Sequence, residues 1–136
     1  MRSDIKNRIL HQQVLAKTET ERLLSAAAPT PALAKECVYR YICYKFLLDP
    51  ENSRGLSLHR MAEKSIEQSF LLHIPLAKEG ETATTCGAAG STGMKIALLL
   101  NAICRDFQAD IPRQDLVFVK TPDEVAENLW NVKYCG

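Results

Sequence analysis

Two hydroxyl residues, Ser91 and Thr92, stand directly before Gly93 in the stretch GAAGSTGMKI, which runs on into the apolar ALLLNAICRDF. A hydroxyl at the amino end of a helix is well placed to hold a phosphate, because unpaired backbone N–H groups and the helix dipole favour negative charge there. Lys95 adds a cation within the first turn. The stretch does not fit the nucleotide-binding pattern G-x-x-x-x-G-K-[ST]. Met94 separates Gly93 from Lys95, Ile96 replaces the hydroxyl that would hold magnesium, and no buried strand precedes the loop.

The only other nucleophile or base near this loop would be Cys86 or His73. With Ser91 they make a trio without an orienting third partner, so no catalytic residue is assigned and the chain is not read as an enzyme. Five cysteines (Cys37, Cys43, Cys86, Cys104 and Cys135) fall at irregular spacings. None pairs with His11, His59 or His73 at a metal-ligand spacing, so buried reduced thiols are expected rather than a metal site. Cys86 and Cys135 are the two expected to be exposed.

The charge balance excludes some partners. Seventeen Lys and Arg oppose sixteen Asp and Glu, a net charge of +1, and the cations are spread along the chain. A polyanion needs a basic patch, so no nucleic-acid partner is expected. No apolar run is long enough for a bilayer, and the polar start MRSDIKNRILHQQ lacks the apolar stretch of a signal peptide. A cytoplasmic location is expected.

Helical signals dominate the elements that must position the loop. Ser3 is placed to cap a first helix whose apolar members are Ile5, Ile9, Val14, Leu23 and Leu24, and AAAPTP ends it. A second helix runs from Ala32 to Leu48, stopped by Asp49-Pro50. Ser57 caps a third, from Leu58 to Ile74, closed by Pro75. After a long loop, a fourth helix begins near Gly93. Its stripe of Gly93, Ile96, Ala97, Leu100, Ile103, Cys104 and Phe107 is buried, and Met94, Leu98, Leu99 and Ala102 add a second apolar face. That second face needs a cover, and the chain's own N-terminal helices are the expected one. IPRQDLVFV is a single-turn or irregular segment. Thr121 caps the last helix, with Pro122 at its first position, Glu124 completing a capping box, and Val125, Ala126 and Leu129 facing inward.

From Ile96 onward the order of these signals resembles the C-terminal half of acyl and peptidyl carrier proteins. DFQADIP matches the family's aromatic-ended helix II and its Ile-Pro turn, and TPDEVAENL matches its Thr-capped helix IV. The resemblance covers the final third closely and reaches back loosely to Leu58. It implies an all-α fold: an acyl-carrier-protein-like four-helix bundle over residues 53–136, with residues 1–52 as an N-terminal two-helix extension. In the family, a serine at the start of helix II carries a 4'-phosphopantetheine arm, and partner enzymes do the chemistry.

Here the pattern departs from the family. Counting back from Phe107 by the family spacing places the attachment position on Gly93, with Met94 where the family has Leu. The acidic or histidine residue before the serine is also missing, and the helix is almost free of carboxylates. The expectation is therefore a carrier-like docking or scaffold module without an arm. Its partner would be an enzyme of an acyl- or aminoacyl-transfer system, or a second copy of itself, met through Met94, Leu98 and Leu99. The alternative is a genuine acyl or aminoacyl carrier with phosphopantetheine on Ser91, flanked by Thr92 and Gly93.

Overall fold

The computed structural model describes residues 2–71 and 92–135. All regular structure among them is helical: α1 (Arg2–Leu24), α2 (Pro31–Lys45), α3 (Leu58–Leu71), α4 (Thr92–Asp106), the single-turn α5 (Arg113–Leu116) and α6 (Pro122–Trp130). Helix α6 widens into a π-helical turn over Asn131–Cys135. Ser91, Cys86, His73, the expected close of the third helix at Pro75 and most of the expected long loop lie outside the described residues.

Local chemistry sets the helix limits. Thr30 accepts the Leu33 N–H at 3.1 Å and Pro31 fills the first position of α2. The helix stops three residues before the expected Leu48 because Leu47 takes a left-handed φ of 61°. The Leu48 N–H then reaches back to the Cys43 carbonyl at 2.8 Å, closing a Schellman-type turn that returns Leu48 to the core. Helix α4 ends in the same way. Gln108 has φ 55°, the Ala109 N–H meets the Cys104 carbonyl at 3.0 Å, and Ala109 is buried.

Ser57 caps α3 as expected, accepting the Arg60 N–H at 3.1 Å. Thr121 caps α6, accepting the Glu124 N–H at 3.2 Å. The return bond of the expected capping box lands one residue early, because Glu124 Oε1 takes the N–H of Lys120 and not that of Thr121. The Lys120 carbonyl in turn accepts the Leu58 N–H at 2.8 Å, so the amino ends of α3 and α6 are tied together.

Helix α1 departs from its sequence reading at both levels. It already includes Arg2, so Ser3 lies inside it and not at its cap. Val14 is 62% exposed, while Ala16, Glu19, Thr20 and Leu23 are buried. Apart from Leu23, the buried face of α1 is built from small and polar residues at steps of three and four, which hydrophobicity alone does not reveal. Glu19 is satisfied by Arg22 at 3.3 Å, and the Thr20 hydroxyl by the Lys17 carbonyl at 2.7 Å.

Helix α2 is the centre of the molecule. It packs against α1 on one side and α6 on another and also touches α4, while α3 pairs with α4. Cys37, Val38, Tyr41, Ile42 and Cys43 of α2 share one core with Leu58 and Met61 of α3, Ile103 and Phe107 at the end of α4, and Val125 and Leu129 of α6. Residues on both sides of the boundary expected at 52/53 thus bury their apolar faces together. The turn between α2 and α3 is held by Glu36, which accepts from both arms of the Arg54 guanidinium at 3.1 and 2.8 Å and from Arg40 at 2.6 Å. Arg54 also lies over the Tyr39 ring at 4.3 Å, and the Tyr39 hydroxyl donates to the Pro50 carbonyl at 2.6 Å.

Candidate functional site

Helix α4 carries Thr92, Gly93, Met94, Leu98 and Leu99 of the residues singled out from the sequence, while Ser91 lies outside the described residues. Burial along the helix follows Ile96, Leu99, Leu100, Ile103 and then Phe107, which caps the inner face against Tyr41 of α2. This corrects two expectations. Leu99 is 4% exposed and belongs to the core, so it is not part of a partner-binding face. Gly93 and Ala97, expected in the buried stripe, are exposed. The helix is rotated by about one position from the expected register, because Ile96 and Leu99, and not Gly93 and Ala97, continue the row that meets Ile103 and Phe107.

The second apolar face is not covered by the N-terminal helices. Met94 is 41% and Leu98 52% exposed. Helices α1 and α2 pack on each other, and α2 reaches α4 through Tyr41, which meets Phe107 and Asp106, and through its C-cap Phe46, which meets Lys95. Beside the open face runs an apolar groove of about 500 Å³ between α4 and the α5 segment. Gly93, Ile96, Ala97, Leu100 and Asn101 form one wall, and Arg113, Leu116, Val117 and Val119 the other. Val117 in its lining and Phe118, the next residue, are both exposed. A helix of one turn cannot turn every member of LVFV inward. Leu116 and Val119 are partly buried against the core, and the two residues between them are left in water.

The first turn of α4 carries no acidic residue. Lys95 is turned toward the aromatic face of Phe46, its Nζ 5.5 Å from the ring centroid. The Thr92 hydroxyl lies 3.3 Å from His59 Nδ1, and His59 Nε2 lies 3.2 Å from Glu63 Oε2. Arg60 Nη1 donates to the other Glu63 oxygen at 2.8 Å and holds that carboxyl below its usual value. Sequence reasoning named Thr92 but not His59 or Glu63. Their i, i+4 spacing on α3 was legible, but their meeting with a residue of α4 depends on the pairing of the two helices.

The thiols divide by depth. Burial, with Glu19 close by, pushes Cys37 up to about 11, and burial pushes Cys43 to about 11, so neither is a thiolate at neutral pH. Cys104 is half-buried and Cys135 exposed, both as free thiols. Cys135 follows a stacked pair, Trp130 and Tyr134, with centroids 4.5 Å apart. No helix among the described residues is long and apolar enough to cross a membrane.

No family model, curated protein or solved structure matches this chain.

Proposed function

We propose that this chain is a carrier-protein-like module, with Gly93 in place of the attachment serine, that docks an enzyme of an acyl- or aminoacyl-transfer system. In this proposal α3 to α6 are the carrier-like part, and α1 and α2 are an extension whose second helix has become part of the core. The grammar of residues 107–130 supports it, together with the single-turn α5 and the Thr121-capped α6. The observation that carries the docking role is the open apolar surface on α4 and α5. Leu98, Val117 and Phe118 are exposed, and Val117 lines a groove that the described helices leave open. Exposed apolar patches of this kind mark interaction sites more often than accidents of folding. The near absence of carboxylates on α4 makes recognition apolar rather than one of opposite charge.

A photo-crosslinking residue placed at Leu98 or Phe118, compared with one at exposed Lys17 on α1, tests this in the native cell. Adducts from positions 98 and 118 to an enzyme that handles acyl or aminoacyl thioesters, absent from position 17, are the expected result. The same adducts from all three positions would refute docking through this face.

A further inference from the structure

The contact between Thr92, His59 and Glu63 goes beyond a docking role. A carboxylate at one imidazole nitrogen fixes the proton there, so Glu63 beside Nε2 leaves Nδ1 as the lone-pair nitrogen facing the Thr92 hydroxyl. Hydroxyl, imidazole and carboxylate in this order form the arrangement by which a hydroxyl is made nucleophilic, and it is recognised by geometry rather than by chain order. Arg60 steadies the far oxygen of Glu63, which leaves its Oε2 to the imidazole. The groove that opens at Gly93, the next residue, is walled mostly by aliphatic side chains, with Asn101 and Arg113 also in its lining, so an aliphatic acyl group meets more apolar than polar surface there.

We propose that Thr92 is an acyl-accepting nucleophile, with His59 as its general base and Glu63 as the residue that positions the imidazole. The substrate class is an aliphatic acyl thioester. Thr92 Oγ attacks the thioester carbonyl carbon as the hydroxyl proton passes to His59 Nδ1. The carbon–sulfur bond then breaks, and the departing thiolate takes the proton from Nδ1. An acyl ester on Thr92 and a free thiol result, with no change of oxidation state. Helix α4 begins at Thr92, so the positive end of a 15-residue helix lies beside the carbonyl oxygen as it gains charge.

The test uses the full chain and the thioester S-butyryl-N-acetylcysteamine, read by intact mass and peptide mapping. One butyryl group on the peptide containing Thr92 is expected. It should be absent in Thr92→Val, retained in Thr92→Ser, and formed on the order of a hundredfold more slowly in His59→Gln. Glu63→Gln should slow acylation and Glu63→Asp should restore part of the rate, a rescue that a purely structural role for the side chain would not give. Far-UV circular dichroism guards against a misfolded valine variant, and the serine variant carries the test if that one fails to fold. Label that maps to a cysteine or lysine, or no label on the wild-type chain, would overturn the proposal. So would equal labelling of Thr92→Val, or a serine variant that folds but takes no label.

Discussion

Tyr41, fully buried on α2, donates its hydroxyl to Asp106 Oδ2 at the end of α4 at 2.5 Å. Its ring meets Phe107 edge-on, with centroids 5.2 Å apart at 65°. One side chain thus joins the N-terminal helices to the helix that begins the candidate site. Burial pushes the Tyr41 hydroxyl well above its usual value, so it remains a donor at every accessible pH. Asp106 behaves in the opposite sense. Burial opposes its charge, but the bonds from Arg105 and Tyr41 outweigh that and hold the carboxyl below its usual value.

Tyr41→Phe is expected to cost about 1–2 kcal/mol near neutral pH, because the half-buried Asp106 carboxylate loses one of its two donors. A carboxyl held low in the folded state adds stability above its unfolded value, and that contribution fades as pH falls through the folded one. The cost of the substitution should therefore shrink in acid. Urea unfolding of both proteins at neutral pH and at about pH 2 checks this. An undiminished cost in acid would contradict it.

Glu36 gives a second acid-sensitive contribution with its own window. The Arg54 guanidinium, helped by Arg40, lowers its carboxyl from 4.5 to about 2. Stability from this pair is full above 4.5 and is lost as pH drops toward about 2. The pair is partly exposed, so Glu36→Gln should cost only about 1 kcal/mol at neutral pH, and less at high salt. Thermal unfolding at two ionic strengths measures both effects.

The two faces of α4 should respond oppositely to substitution. Leu99→Ala empties a buried position and is expected to cost about 2–4 kcal/mol. Leu98→Asp and Phe118→Asp alter side chains that stand in water, and should change stability by about 0.5 kcal/mol or less while abolishing partner capture. Denaturant midpoints separate the two classes. A large loss of stability in Leu98→Asp would mean that this face serves the fold.

Thr121→Ala removes the cap of α6 and is expected to cost about 1 kcal/mol. The amino ends of α3 and α6 share the Leu58–Lys120 backbone bond. Amide hydrogen exchange should therefore speed up at Leu58 as well as at the first turn of α6. Exchange confined to α6 would show that the two ends are not coupled.

Much of this architecture was legible because local chemistry decided it. Ser57, Thr121 and Pro122 mark helix starts whatever the tertiary context, AAAPTP marks the break between the first two helices, and Asp49-Pro50 marks the neighbourhood of an end. What escaped depends on partners distant in the chain. Ala16, Glu19 and Thr20 gave no apolar signal, because α1 approaches α2 through small side chains and satisfied polar groups. Leu47 and Gln108 are ordinary residues in left-handed positions where a glycine would have announced the turn. Leu99 and Ala97 exchanged faces because two apolar stripes on one helix leave its rotation open until Tyr41 and its neighbours choose one. At the candidate site, Gly93 and Thr92 could be found from the run into α4. His59 became visible only when α3 and α4 were seen side by side.

On the proposed function, the helix start at Thr92–Gly93 serves a carrier-like module that bears no phosphopantetheine. Intact mass after incubation with coenzyme A and a broad-specificity phosphopantetheinyl transferase tests it most directly. The account predicts an unchanged mass. A gain of one phosphopantetheine arm, lost in Ser91→Ala, would contradict it and make the chain a working carrier.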